Sequence, residues 1–210
     1  MKKIRPALLT ALLLFAGVSQ AAMTDDVRAL QHRWDQVYFQ LEGRAQKDAI
    51  SALVTDSEAV LAAHPDSAEA CIWRAIILSS DAKINGGLAA RGKVAEARTL
   101  LLSADRLDPQ ALDGAIPASL GSLYANVPGW PISYGDKQKA AVYLKQALAV
   151  APDNIDALYF MGDLLRQQGQ DAQARPLFTQ ALAAPRRVGR EVADEGRRHE
   201  IRLALAALAS

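Results

Sequence analysis

The stretch from Asp153 to Pro185 constrains this chain more than any other. Leu158, Met161, Gly162 and Leu165 recur at helical spacing, and Gly169 then breaks the run. Ala174, Phe178, Ala181 and Leu182 share one face of a second helix. Gly162 and Ala174 are small where two antiparallel helices must come close, and Phe178 is large enough to fill the space beside them. Such a pair has an apolar face left over, so it needs neighbours to cover it.

Neighbours can be read from a recurring pattern. Pro65, Pro109 and Pro152 are each followed four residues later by an acid (Glu69, Asp113, Asp156) and then by a small residue (Ala70, Gly114, Ala157). Proline ends one helix, and acids at the start of the next complement its dipole. Asp66 and Asp153 stand where N-caps are expected, with Glu69 and Asp156 three residues further on. The intervals between Pro65, Pro109, Pro152 and Pro185 are 44, 43 and 33 residues. Ala97, Leu101 and Ala104 match Ala140, Leu144 and Ala147, and both sets match Ala174, Phe178 and Ala181. The second helices therefore keep register, and the extra residues of the two longer intervals fall between the helices of a unit. They are expected near 81–92, around Gly86, Gly87 and Gly92, and at 126–136, NVPGWPISYGD. Gly121 and Tyr124 mark the first helix of the latter unit. Pro117 precedes them, and because an interior proline costs about 3 kcal/mol this helix is expected to start late, near Ile116.

On these residues the chain resembles the tetratricopeptide repeat family, whose helix pairs recur every 34 residues or so. The resemblance implies an all-α, right-handed solenoid. Residues 22–65 form a degenerate first pair, with Val27, Leu30, Trp34, Val37, Tyr38 and Leu41 on one helix (Gly43 ending it) and Ile50, Leu53, Val54, Val60 and Leu61 on the next, from Ala45 to Ala63. Residues 66–185 form three units. Residues 186–210 form a cap, with a helix over Asp194–Leu208 that turns Ile201, Leu203, Leu205 and Leu208 inward and leaves Arg197, Arg198, Glu200 and Arg202 in water. Family geometry places a concave groove on the first helices: Glu69, Ile72, Ile76 and Ser79, then Ser122 and Asn126, then Asp156, Tyr159, Asp163 and Arg166. That set is mostly acidic and aromatic, unlike the Lys, Arg and Asn clamps that hold carboxylates in chaperone-binding relatives.

The loop Pro128–Asp136 is the most individual feature. Two prolines and two glycines fix its path, and Trp130, Ile132 and Tyr134 alternate in direction if it is extended. Two readings stay open: Trp130 and Tyr134 contact a partner, or they plug the gap that the loop creates. Asp136 is expected to cap the following helix. The PGWP and GD arrangement before AVYLKQAL resembles that of small exported bacterial members of the family.

Residues 1–21 read as an export signal. Lys2, Lys3 and Arg5 precede the apolar run Ala7–Val18, and Ser19, Gln20 and Ala21 supply the cleavage region. The run is shorter than the roughly 20 residues of a membrane-spanning helix; an uncleaved anchor is the alternative. Without this segment, 21 Lys and Arg face 23 Asp and Glu, a net of −2. A near-neutral exported chain argues against nucleic-acid binding. A periplasmic location in a Gram-negative cell is the expectation, with no stable membrane insertion after cleavage.

Enzyme constellations are hard to assemble. Cys71 is the sole cysteine and falls on a core-facing position, which excludes an internal disulfide and a multi-thiolate zinc site. His32, His64 and His199 are far apart, and no phosphate cradle or nucleophile motif is present. No catalysis, metal or cofactor is expected. The arginines at 186, 187, 190, 197, 198 and 202 alternate with acids (Glu191, Asp194, Glu195, Glu200), which points to pairing within the segment. The function expected is a scaffold binding a peptide or partner surface through Trp130, Tyr134, Tyr159, Asp163, Arg166, Asp156, Ile72 and Ile76. The alternative is an accessory component of a periplasmic solute-uptake system of the TRAP type, enclosing a small apolar ligand beside Trp130.

Overall fold

The structure is a computed structural model that describes residues 24–208; the expected export signal lies outside these residues. Four of the helices start where a side chain takes free N–H groups of the first turn. Helix α1 (Asp25–Gln40) begins at Thr24, whose hydroxyl accepts from Val27 N, with Asp25 and Asp26 against the dipole. Helix α2 (Gly43–Ala63) follows after two residues, so Gly43 opens it rather than only closing α1. Helix α3 (Ala68–Asn85) is capped by Ser67, whose Oγ accepts from Ala70 N at 3.1 Å. Helix α7 (Ile155–Gln167) is capped by Asn154, whose Oδ1 accepts from Asp156 N and Ala157 N. In both cases the cap is one residue later than the aspartate expected from sequence, because Asp66 and Asp153 are used in the turn that follows the proline. Asp136 does cap helix α6 (Lys137–Val150), accepting from Gln138 N and Lys139 N at 3.0 Å each.

The extra residues of the two long units are accommodated differently. Between α3 and helix α4 (Ala89–Leu107) only a three-residue turn remains, and Gly86 and Gly87 take positive φ of 60° and 75° there. The surplus is spent on length: α3 and α4 have 18 and 19 residues, against 13 each for α7 and helix α8 (Asp171–Ala183). Continuing a helix satisfies every added backbone group, which an open loop would leave to water. Between helix α5 (Ala115–Asn126) and α6 the surplus is a true loop, residues 127–136. Pro117 falls in the first turn of α5, where its missing N–H breaks no intrahelical bond.

Helices α1/α2, α3/α4, α5/α6 and α7/α8 pack as pairs, and the first helices line up side by side: α1 on α3, α3 on α5, α5 on α7. Helix α9 (Glu191–Ala207) does not simply extend the stack. It packs against α8, α7 and also α1, so the last helix meets the first. Core side chains run through the pile. Leu101, Ile116, Leu120 and Leu144 lie in its middle, Trp34, Ile50 and Trp73 at the N-terminal end, and Leu158, Phe178 and Ile201 at the C-terminal end.

The small-against-large pattern holds at atomic detail. A Cβ on Gly162 would lie 2.7 Å from Phe178 Cε1, and one on Gly121 would lie 2.5 Å from Leu144 Cγ. Phe178 is fully buried and has nowhere to retreat. Gly162→Ala is therefore expected to lower stability by about 1–3 kcal/mol, despite alanine's better helix propensity. A urea midpoint that does not fall would contradict this packing.

Candidate partner-binding surface

The face lined by the first helices is where the groove is expected, and α9 lies in it. Its seat is built from acids and aromatic rings. Asp156 Oδ1 accepts from Arg197 Nε at 2.7 Å, and its Oδ2 accepts from Arg187 Nη1 at 2.8 Å. The Arg197 guanidinium sits over Tyr159 (4.6 Å), Phe160 (5.0 Å) and Phe39 (5.5 Å), and also bonds Glu200 within α9. Gly196 lets Phe39 come close to α9, since a Cβ there would be 2.2 Å from the ring. Asp194 is fully buried and accepts from Arg187 N and Nε. At the other end Arg190 makes a two-point bond to buried Asp35 of α1, at 3.0 Å each, and stacks over Trp73.

Arg197 and Arg198, expected in water, are thus only 5% and 6% exposed, and Leu203, expected inside, is 59% exposed. The reason is what α9 covers. A helix laid on tyrosines, phenylalanines and carboxylates is best served by guanidinium groups, which stack and donate at once. The arginine segment does pair with its own acids, but two further partners, Asp35 and Asp156, come from α1 and α7. Sequence spacing gives no sign of these long-range pairs; Gly196, a glycine inside a charged helix, is the available hint of a close approach.

The groove residues singled out by sequence are not brought together as one open surface. Asp156 and Tyr159 hold Arg197. Asp163 accepts from Arg166 Nη2 at 2.6 Å and from Gln167 Nε2 at 2.8 Å, an exposed pair of one helix turn. Ile76 is half-buried between two core clusters. Ile72 offers no surface at all: it is 0% exposed, because α3 is packed by α1, α2, α4 and α5. The two aromatic residues of the loop part ways. Tyr134 packs edge-on to Tyr124 at 5.4 Å, donates to Val94 O at 2.7 Å and has Arg98 over its ring; burial pushes its hydroxyl pKa up. Trp130 is 90% exposed and Ile132 60% exposed. The loop beneath them is held by Gly135 N to Pro128 O and Asp136 N to Tyr124 O, both 2.9 Å. Gly135 is required there, since a Cβ would overlap Val127 O. Trp130 stands in solvent; clefts of about 460 and 420 Å³ lie elsewhere, beside Arg44 and Asn85 and beside His64 and Leu107.

Cys71 is buried and its thiol pKa is pushed up by that burial, as suits a small core residue. His64 contacts Asp26 at 3.2 Å. Among the described residues no group of three potential metal ligands converges, and no helix is long and apolar enough to cross a membrane.

Titration follows the geometry. Burial alone would raise Asp156, but Arg197 and Arg187 beside it, with Arg190 farther off, hold its carboxyl well below the usual carboxylate range. Tyr159 is pushed up to about 12 by burial and by Glu200. A depressed folded-state value means that Asp156 contributes fully above the unfolded aspartate value of about 3.9, and that the contribution is lost as pH falls through the folded value. Asp35 titrates the other way, raised by burial in spite of Arg190. Asp156→Asn is expected to cost about 3 kcal/mol at neutral pH, because it removes the carboxylate that Arg197 and Arg187 share. It is also expected to flatten the loss of stability on acidification. Urea midpoints from neutral to acid pH check both; an acid limb unchanged by the substitution would contradict the assignment.

Comparison with known proteins agrees with this architecture. Residues 132–194 match the family model described as tetratricopeptide repeat. No curated protein matches the chain. Among solved structures, the crystal structure of a thermophilic TPR protein from Thermus thermophilus is similar in fold, with a TM-score of 0.59 and 17% identity. The match covers 76% of this chain and 73% of that one.

Proposed function

Taking the chain as a tetratricopeptide-repeat protein, we propose that it works in the periplasm as a non-catalytic scaffold whose first-helix face grips a partner segment carrying an arginine. Proteins of this fold are in general interaction scaffolds. The observation that carries the finer reading is the seat of Arg197: Asp156, Tyr159 and Phe160 already hold a guanidinium presented by a helix. In this reading α9 is the resident occupant, and a partner segment with the same chemistry takes its place. Ion pairs suit an exchange of this kind, because desolvation offsets most of their net gain. Trp130 in open solvent favours a scaffold over a carrier that encloses an apolar ligand. The periplasmic part rests on the signal-like residues 1–21 alone.

Two measurements test the proposal. A labelled peptide of residues 186–208 is expected to bind the full-length Arg197→Gln variant more tightly than the unaltered chain, and to lose that binding when Asp156→Asn is added. Binding that ignores Asp156, or no binding to either chain, would refute the groove reading. Cell fractionation is expected to recover the protein from the periplasm with its N-terminus just beyond Ala21. A cytoplasmic chain still starting at Met1 would refute the location.

A further inference from the structure

The turns that join first to second helices lie along one edge of the solenoid, since the pairs are antiparallel and the first helices run side by side. Direct contacts link these turns in sequence. Asn85 Nδ2 donates to Ser51 Oγ at 3.1 Å, Tyr134 donates to Val94 O at 2.7 Å, and Lys137 Nζ donates to Gln167 O at 3.3 Å. Three apolar side chains project from this edge with little of their surface covered: Leu88 at 99%, Trp130 at 90% and Ile132 at 60% exposed. They stand on turns held from below, Gly86–Leu88 and the pinned loop 127–136, so the tips do not fold back onto the domain.

Cations outnumber acids on the same edge, where Glu42, Asp136 and Asp171 stand at the starts of α2, α6 and α8. The second helices α2, α4 and α6 each begin with cations: Arg44 and Lys47, Arg91 and Lys93, Lys137 and Lys139. None of the three has an acid in its first turn, although the positive end of a helix dipole favours one. Asp48 and Asp81 neutralise Arg44 and Lys93. Among the described residues, Lys47, Arg91, Lys137 and Lys139 have no carboxylate partner. Lys137 reaches a backbone carbonyl, and Lys139 lies over the Tyr124 ring. Arginines around α9, by contrast, find acids throughout.

We propose that this edge docks on an anionic phospholipid surface, with Trp130, Ile132 and Leu88 entering the interface and the unpaired cations Lys47, Arg91, Lys137 and Lys139 meeting lipid phosphates. Tryptophan suits the boundary between headgroup and acyl chain, and each lysine or arginine near an anionic surface adds attraction that salt weakens. Docking by the edge does not cover the first-helix face where α9 lies. The contact is peripheral, consistent with the absence of a spanning helix among the described residues.

The chain supplies its own reporter. Trp34 and Trp73 are buried, so a change of tryptophan emission on adding vesicles reads Trp130. The full chain is titrated with vesicles of equimolar phosphatidylglycerol and phosphatidylcholine, and with phosphatidylcholine alone. Every variant carries the same residues 1–23, so differences between variants report the edge. A blue shift is expected with the anionic vesicles only, reversed by salt. Co-sedimentation with them is expected to fall roughly tenfold for Lys137→Gln with Lys139→Gln, and comparably for Trp130→Ala with Ile132→Ser. Val188→Ser, at an exposed apolar residue outside the edge, is expected to change nothing. No shift with anionic vesicles, equal binding to neutral ones, or indifference to both double variants would overturn the proposal. So would a shift produced by poly-L-glutamate and not by vesicles, which would assign the edge to an acidic protein.

Discussion

A pile of helix pairs has two ends, and each end presents an apolar face that no further pair covers. How those ends are closed governs the rest of this structure. One helix serves both: α9 follows the last pair, lies along α7 and α8, and reaches α1. Ile201 and Leu205 cover the aliphatic end of the pile, and the helix is strongly charged because the rest of what it covers is aromatic and acidic. Phe39, Tyr159 and Phe160 offer ring faces, and Asp35 and Asp156 offer carboxylates. Guanidinium groups satisfy both at once, where leucines would leave the carboxylates buried and unpaired.

Packing within the pile relies on a different device. Gly121 and Gly162 admit Leu144 and Phe178 at distances a side chain would forbid, so α5 and α7 sit close on α6 and α8. Those contacts are local in sequence and recur, which is why the repeat, its register and the all-helical class could be read from the chain directly. The positions of Ala97, Ala140 and Ala174, all fully buried, followed from the same alignment of units. What could not be read were consequences of distance. Arg190 and Asp35 are 155 residues apart, and no periodicity connects them. The burial of Arg197 and exposure of Leu203 follow from the face α9 covers, which its own sequence does not state. Ile72 reads as a groove residue on helical spacing but is enclosed because α3 has neighbours on every side. The stretch near 81–92 reads as an insertion between helices, yet the chain resolves it by lengthening α3 and α4, a choice set by backbone hydrogen bonding rather than by glycine content.

The loop between α5 and α6 separates two roles that sequence leaves joined. Tyr134 is tied to α4 and Tyr124, and Gly135 to Val127, so the loop is stiff. That stiffness holds Trp130 and Ile132 out in solvent instead of letting them collapse onto the domain. Partner binding is accordingly divided in our reading between a cation seat on the first-helix face and an apolar, basic edge, each defined by residues the other does not use.

All of this depends on α9 being docked in the resting domain, held to both ends by its arginines. Native-state hydrogen exchange tests that most directly. The account predicts that backbone amides from Arg197 to Ala204 exchange as slowly as those from Leu158 to Leu164 in α7. Exchange of the former at the rate of an unpacked tail, while α7 stays protected, would contradict it.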